Sequence, residues 1–123
     1  KSLEKYYLVD VGLRRMLLGD RAYDLGHVLE NIVYLELLRR GYQVYIGKVD
    51  DMEVDFVAVK GSDRQYIQVA ASVLDPATLA RELAPLLAVR DNYPKTILTL
   101  DELPMQHEGI VQDNVVDFLL QEA

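Results

Sequence analysis

The sequence predicts a mixed α/β domain, with one sheet covered by helices on both faces. One long amphipathic helix precedes three consecutive strand-like runs, and a second helix separates those runs from a further apolar strand. Adjacent strands joined by short turns pair antiparallel, whereas a strand that follows a crossover helix lies parallel to a neighbour. The predicted core order is therefore helix, strand, strand, strand, helix, strand, with flanking helices.

The three consecutive strands are predicted at Tyr42–Lys48, Met52–Val59 and Tyr66–Ala71. Their apolar content and the turn residues between them are typical of strands. Because side chains alternate between the two faces of a strand, each run divides into two sets. One face of the second run is expected to carry Met52, Val54, Phe56 and Ala58, and the other Glu53, Asp55, Val57 and Val59.

Polar side chains interrupt two of these strands. Asp55 lies in the middle of the second run, and Gln68 shares a face with Tyr66 and Ala70 in the third. Buried polar groups are normally bonded or functional. Two of them on neighbouring strands indicate either a site or the remains of one.

The long helix is predicted from about Asp24 to Arg40, with Gly41 as the residue that ends it. Helical spacing predicts that Glu36 points toward the sheet and that Glu30 lies at the flank of the buried face, with Val33 and Leu37. The residues expected on the buried face are Leu25, Val28, Leu29, Ile32 and Leu35.

The remaining elements have recognisable ends. Asp75 and Pro76 should begin the second helix as its N-cap and first residue, and Asn114 should cap a terminal helix. The buried row of the second helix is expected to be Leu79, Leu83, Leu86 and Leu87. Other expected segments are a strand at Tyr6–Val9, a helix from Asp10 through Leu17, a strand at Thr96–Leu100, a loop at Asp101–Glu108, a short strand at Ile110–Val111, and Val115, Phe118 and Leu119 on the terminal helix.

Composition excludes several classes of protein. The chain has 123 residues and a formal net charge of -7, which opposes non-specific attraction to DNA. Because it has no cysteine, it forms no disulfide and no thiolate metal site, and two histidines cannot supply a multi-histidine site. No run has the apolar length of a membrane span and the first residues show no signal-peptide pattern, which predicts a cytoplasmic protein without membrane attachment. The absence of an initial methionine predicts a piece of a longer protein.

Four short segments carry a resemblance to a known fold. They are Gly26–Asn31, Gly41-Tyr42, Glu53–Phe56 and Tyr66–Val69. Together they resemble the restriction-endonuclease-like, PD-(D/E)XK nuclease fold. They resemble more closely the uncharacterised domain at the C-terminus of many archaeal and bacterial AAA+ type ATPases. Lys5–Arg14 and Asp91–Lys95 extend the resemblance over nearly the whole chain, which implies a single domain over residues 1–123.

The resemblance implies a metal site. In that fold an acid on the first helix and two acids on the strands hold Mg²⁺, and a lysine two residues after the second strand acid stabilises the phosphate. The matching positions are Glu30, Asp55 and Gln68, and the lysine position is Ala70. The cations that could replace the missing lysine are Lys48, Lys60 and Arg81.

Three hypotheses follow for the function. The first is a degenerate nuclease-like domain, without activity in isolation, that acts as a binding or regulatory module of an AAA+ ATPase. Its partners would be the ATPase domain of the same parent chain, another protein, or DNA. The second is an active Mg²⁺-dependent DNA nuclease with a glutamine variant of the site. The third is an oligomerisation domain whose sheet edge or terminal helix contacts a second copy. The chain itself has no GxxxxGK[ST] nucleotide loop.

Each candidate residue also has a purely structural interpretation. Asp55 could be a buried carboxylate bonded to the backbone or to Arg40, and Gln68 a core amide. Glu30 could be a solvated acid at the helix flank. Glu36 is more naturally the partner of an arginine or tyrosine than a metal ligand. These alternatives are separated by the contacts that each side chain makes.

Overall fold

A computed structural model describes residues 22–121 of the chain. The predicted Tyr6–Val9 strand and the helix from Asp10 lie outside the described residues. In chain order the elements are α1 (Ala22–Arg39), β1 (Gln43–Val49), β2 (Met52–Lys60), β3 (Asp63–Val69), α2 (Pro76–Ala88), β4 (Lys95–Thr99), β5 (Met105–His107), β6 (Ile110–Asn114) and α3 (Val115–Leu120).

The six strands form one mixed sheet in the order β1-β2-β3-β4-β6-β5. β1, β2 and β3 pair antiparallel, and β4 lies parallel to β3 after the crossover through α2. β6 is parallel to β4, and β5 is antiparallel to β6 at the far edge. The predicted mixed α/β sheet is thus confirmed.

Helices cover both faces of this sheet, as predicted. The core on one face joins α1 and α3 to the sheet, and its buried members are Leu29, Val33, Leu37, Ala58, Ile67, Val69, Leu98, Val115 and Leu119. The core on the other face lies under α2, and its buried members are Val54, Tyr66, Val73, Leu86, Ile97 and Ile110. Within residues 22–121, no helix combines the length and apolar character needed to cross a membrane.

The buried face of α1 is rotated from the predicted one. Val33 and Leu37, expected at the flank, are fully buried, whereas Leu35, expected in the core, is 55% exposed. The core side of the helix is defined by Leu29, Val33 and Leu37, which are spaced four residues apart and lie on one face. The rotation turns the side of α1 that carries Glu30 toward the sheet.

Gly41 ends α1 as predicted. Its φ of 92° lies in the left-handed region, where a side chain would be strained. The Gly41 N–H donates to the Leu38 carbonyl and the Tyr42 N–H to the Leu37 carbonyl, both at 3.0 Å. These two bonds form a Schellman motif, which sends the chain directly into β1.

A bulge in β2 breaks the predicted alternation of its side chains. Tyr45 pairs with Val57 and Gly47 pairs with Val54, so β2 has one more residue than β1 across this step. As a result Val54 and Val57 both belong to the α2 core, while Phe56 packs against the α1 core. The prediction that Val54 and Phe56 share a face was wrong, because strict alternation assumes an unbroken ladder.

Gly47 accommodates the bulge. A Cβ at this position would lie 2.7 Å from Val57 Cγ2 and 3.2 Å from Val54 Cβ. Both distances are shorter than ordinary van der Waals contact. The missing side chain therefore lets two valines occupy the same face of β2.

Two further predictions were wrong in part. Met105–His107 forms strand β5, where a loop was expected, because it pairs with β6 at the sheet edge. Leu87, expected in the buried row of α2, is 45% exposed, and Leu86 is fully buried. The helix caps were predicted correctly: Asp75 accepts from the Thr78 N–H at 3.2 Å, and Asn114 accepts from Val116 and Asp117.

Candidate functional site

The side chains of Asp55 and Gln68 each accept a hydrogen bond from the backbone of the neighbouring strand. The Asp55 N–H donates to Gln68 Oε1 at 2.7 Å, and the Val69 N–H donates to Asp55 Oδ2 at 2.9 Å. The regular pairing of β2 with β3 runs from Lys60 and Asp63 to Phe56 and Ile67. Beyond that point, beside the β2 bulge, the side chains of Asp55 and Gln68 replace the backbone hydrogen bonds between the two strands.

Gln68 also connects the sheet to α2. Its Nε2 donates to the backbone carbonyl of Glu82 at 3.1 Å, and the residue is only 3% exposed. An amide can accept from one strand and donate to a helix at once, which an ionised carboxylate cannot do. Gln68 is therefore a bonded core amide that holds β2, β3 and α2 together.

Glu30 faces the same region from α1. Its side chain is 35% exposed, and His27 Nδ1 lies 3.9 Å from its Oε2. Burial raises the pKa of the Glu30 carboxyl, and the negative charge of Asp55 raises it further. The predicted helix acid and strand acid are thus electrostatically coupled across the α1–sheet interface.

Glu82 is a third carboxylate, which the sequence analysis missed. Burial raises the pKa of Glu82 to about 7, and the charges of Asp55 and then Glu30 add to that shift. A signal existed, because Glu82 lies three residues after Leu79 and four before Leu86, at the edge of the apolar row of α2. The sequence alone does not show whether an acid at such an edge is buried or exposed, because that depends on how the helix packs on the sheet.

Asp55 is at the centre of this carboxylate cluster, which consists of Glu30, Asp55 and Glu82. Burial raises the pKa of the Asp55 carboxyl, and the hydrogen bond from Val69 partly offsets that effect. Glu53 contributes further repulsion. The three acids approach from α1, β2 and α2: the charge of Asp55 disfavours the ionised form of Glu30 and Glu82, and the charge of Glu30 adds to the effect on Glu82.

The position expected to hold a lysine carries no cation. Ala70 donates its N–H to the Leu98 carbonyl at 3.0 Å and so continues the pairing of β3 with β4. Lys60 is engaged elsewhere: its Nζ donates to the Arg40 carbonyl at 2.8 Å and lies 5.6 Å from the centre of the Tyr42 ring. Lys48 lies on edge strand β1, where it pairs with Glu53.

Arg81 is the candidate substitute whose charge acts on the cluster. Its Nη2 donates to Thr78 Oγ1 at 3.2 Å, and its charge partly opposes the raised pKa of Glu82. It remains an exposed side chain on α2. Arg81 therefore moderates the repulsion among the acids from outside the cluster.

Glu36 belongs to a separate structural network. It is 8% exposed and accepts from Arg39 Nη2 and Arg40 Nε, each at 2.7 Å. The prediction that Glu36 pairs with an arginine is confirmed. Arg40 is thereby committed to Glu36, and Asp55 finds its partner in the backbone of β3.

The side chains as arranged do not fit a divalent cation. Among the described residues, no three Asp, Glu or His side chains form a group that could hold a metal ion. Asp55 Oδ2 and Gln68 Oε1 each accept a short backbone hydrogen bond, which uses one of the two lone pairs of each oxygen. The cluster is therefore a group of electrostatically coupled carboxylates, in which Asp55 accepts a structural hydrogen bond from the backbone of β3.

The chain is similar to an uncharacterized protein of Haemophilus influenzae. The two are 42% identical over 122 residues, which is 98% of this chain and 30% of that protein. The chain therefore spans less than a third of the length of this relative. No protein-family model matches the chain, and no solved structure matches it.

Proposed function

We propose that the chain is a degenerate nuclease-like domain of the restriction-endonuclease type, which acts as a binding or regulatory module within a larger ATPase. One observation carries the proposal. Where the chemistry of that fold needs a carboxylate, Gln68 is an amide bonded on both sides, and Ala70 follows at the lysine position. Removing one positioned donor from an active site costs about a hundred-fold or more in rate.

The arrangement of the elements supports the same proposal. A helix leads into three antiparallel strands, and a crossover helix then leads to a strand parallel to the third. This order accords with the predicted core of the nuclease fold. If the domain lost its catalytic activity but kept its fold, the polar residues of the former site would be expected to form structural hydrogen bonds, as Gln68 does.

The partner in this proposal is the ATPase region of the same parent chain, with another protein or DNA as further candidates. The Haemophilus relative extends well beyond the matched region, which leaves room for such a partner. The net charge of -7 favours a protein partner over non-specific DNA contact.

A second function, Mg²⁺-dependent DNA cleavage, has one observation in its favour. The coupled carboxylates Glu30, Asp55 and Glu82 hold their protons more tightly than usual, and a bound cation would relieve the same repulsion.

The third hypothesis, oligomerisation, stays a prediction. Edge strand β1 exposes Tyr45 and Ile46, whereas α3 is mostly buried, so the sheet edge would be its contact surface.

Mn²⁺ titration and DNA cleavage separate the first two functions. We expect the wild-type chain to leave plasmid and oligonucleotide DNA intact and to bind Mn²⁺ with a Kd weaker than about 1 mM. Gln68→Glu, which restores a carboxylate beside Asp55, should raise the melting temperature in Mn²⁺ relative to EDTA. Gln65→Glu on the same strand is the matched control and should not. Cleavage by the wild type that Asp55→Ala abolishes would overturn the proposal in favour of the nuclease.

The regulatory role is tested in the full-length Haemophilus relative. The proposal predicts that this protein hydrolyses ATP, and that deleting the region matched by this chain alters the rate of hydrolysis. Absence of hydrolysis by the intact protein, or an unchanged rate after the deletion, would contradict it.

A further inference from the structure

A second polar site lies on the α2 face of the sheet, at the end of the β1–β2 hairpin. It is an open pocket of about 510 Å³, within the size range of small-molecule sites. Its apolar floor includes Val54, Val57 and Val89, which belong to the core under α2. None of Glu30, Asp55 and Glu82 lines it, so it is distinct from the carboxylate cluster.

The rim of this pocket is cationic in a chain that is otherwise acidic. Lys48, Arg64 and Arg90 line it, with Asp50 as the acidic lining residue. Within the part of the chain that the structure describes, the side chains of Lys48 and Arg90 form no hydrogen bond, ion pair or ring contact. The guanidinium of Arg64 bonds to the Tyr66 hydroxyl and lies 5.5 Å from the centre of the Tyr93 ring, and these two contacts position it without neutralising it.

The acidic side chain that acts electrostatically on Arg64 is Asp91, which is already bonded to other groups. Asp91 accepts from the Tyr66 hydroxyl at 2.5 Å and pairs with Lys95 Nζ at 3.1 Å. Lys95 therefore offsets part of the charge of Asp91, whose remaining attraction acts on Arg64. Lys48 pairs with Glu53 across the β1–β2 ladder, so its contribution should be smaller than that of either arginine.

We propose that this pocket binds a small organic oxyanion, whose head is held by Arg64 and Arg90 and whose apolar body lies against the partly buried Val57 and Val89. Arginine guanidinium groups match the oxygens of phosphates and carboxylates with paired N–H donors. Val57 and Val89 select against a bare inorganic anion, because only a ligand with an apolar body covers their remaining exposed surface. The proposal holds whether or not the domain is a degenerate nuclease.

Amide chemical shifts in the 123-residue chain test the proposal with phenyl phosphate as the probe. At about 10 mM, a concentration suited to a weak fragment, the probe should shift the amides of Gly47, Val89 and Arg90. Phenylacetate distinguishes a phosphate site from a carboxylate site, and the tighter of the two identifies the preferred head. Inorganic phosphate has the anionic head without the apolar body, and benzyl alcohol has an aromatic body without the anionic head. Each should bind more weakly than phenyl phosphate.

Arg90→Gln is the decisive variant, since Arg90 is exposed and its loss leaves the core intact. It should raise the Kd for phenyl phosphate at least about five-fold, because the variant loses a charge-assisted hydrogen bond to the ligand head. Arg81→Gln, which removes an exposed arginine of α2 outside the pocket, is the matched control and should change the Kd less than two-fold, or about 0.4 kcal/mol. An equal loss in both variants, binding of inorganic phosphate as tight as that of phenyl phosphate, or no shift of the three amides would overturn the proposal.

Discussion

The amide group of Gln68 gives this position a structural role where a carboxylate would be expected in a catalytic site. Its carbonyl oxygen accepts from β2 and its amino group donates to α2, so both ends of the amide are used. A buried donor or acceptor that loses its partner costs about 1–3 kcal/mol. The glutamine therefore stabilises the fold at the position where a carboxylate would bring a charge to be neutralised.

The carboxylate cluster predicts a pH dependence of stability that Glu82 dominates. The pKa of Glu82 is raised from 4.5 to about 7, so the folded chain binds this proton more tightly than the unfolded chain. The free energy of unfolding should then fall as the pH rises from about 4.5 to 7 and level off above that range. After allowance for solvent screening, we expect a loss of about 1–2 kcal/mol.

Denaturation at pH 5 and pH 8 measures this effect. Glu82→Gln should flatten the dependence and make the chain more stable than the wild type at pH 8. Asp55 and Glu30 have pKa values shifted in the same direction, so a smaller dependence should remain in the variant. Glu102→Gln, which changes an exposed acid outside the cluster, serves as the control, and an equal flattening there would refute the assignment to Glu82.

At the scale of single elements, the bulge in β2 makes a prediction about Gly47. A methyl group at this position would press on Val54 and Val57, at 3.2 and 2.7 Å. Overpacking of this kind costs about 1–3 kcal/mol, so Gly47→Ala should lower the free energy of unfolding by that amount. Urea denaturation of the variant measures it.

Gly26 provides the matched control. It lies within α1, and a Cβ there would meet nothing within 4 Å. Because alanine is the better helix former, Gly26→Ala should leave stability unchanged or raise it by up to about 1 kcal/mol. If Gly47→Ala were equally harmless, the bulge would be free to relax and the close packing would carry no cost.

The elements divide clearly into those the sequence predicted and those it did not. Helices with capping residues and strands with apolar runs appeared where expected, since their signals are local. β5 was missed because Met105–His107 has no alternating pattern and is a strand only through its pairing with β6. The rotation of α1 and the two-valine face of β2 were also missed, because both depend on contacts between distant segments.

The candidate site was predictable to the same extent. Motif positions located Asp55 and Gln68 on neighbouring strands and Glu30 on the preceding helix, and the structure couples all three positions. Position along the chain could not reveal what each group bonds to. The engagement of Gln68 with α2 and the approach of Glu82 both follow from how α2 packs on the sheet.

For the whole molecule, Arg40 joins segments that are far apart in the sequence. Its Nη2 donates to the Phe118 carbonyl at 2.6 Å, and its guanidinium lies 4.4 Å from the centre of the Phe118 ring. It also pairs with the buried Glu36. One side chain thus connects the end of α1 to α3 and neutralises a carboxylate in the interior.

Arg40→Ala should accordingly lower the free energy of unfolding by about 2–3 kcal/mol, because it removes the bonds to the Glu36 carboxylate and the Phe118 carbonyl while Arg39 still compensates Glu36. Arg39→Ala is the matched control: Arg39 contacts the same Glu36, but its side chain is 55% exposed, and we expect a loss of about 1 kcal/mol or less. Thermal or urea denaturation compares the two. Similar losses in both variants would show that the link from α1 to α3 contributes little.

The packing of α1 against α3 has a consequence for synthesis. Leu29, Val33 and Leu37 share one apolar core with Val115 and Leu119, some eighty residues later in the chain. During translation the sheet residues of this core emerge before the last helix, and part of the α1 face stays uncovered until that helix follows. We therefore expect nascent chains that stop before Val115 to be bound by chaperones, and those that extend past Leu120 to be released.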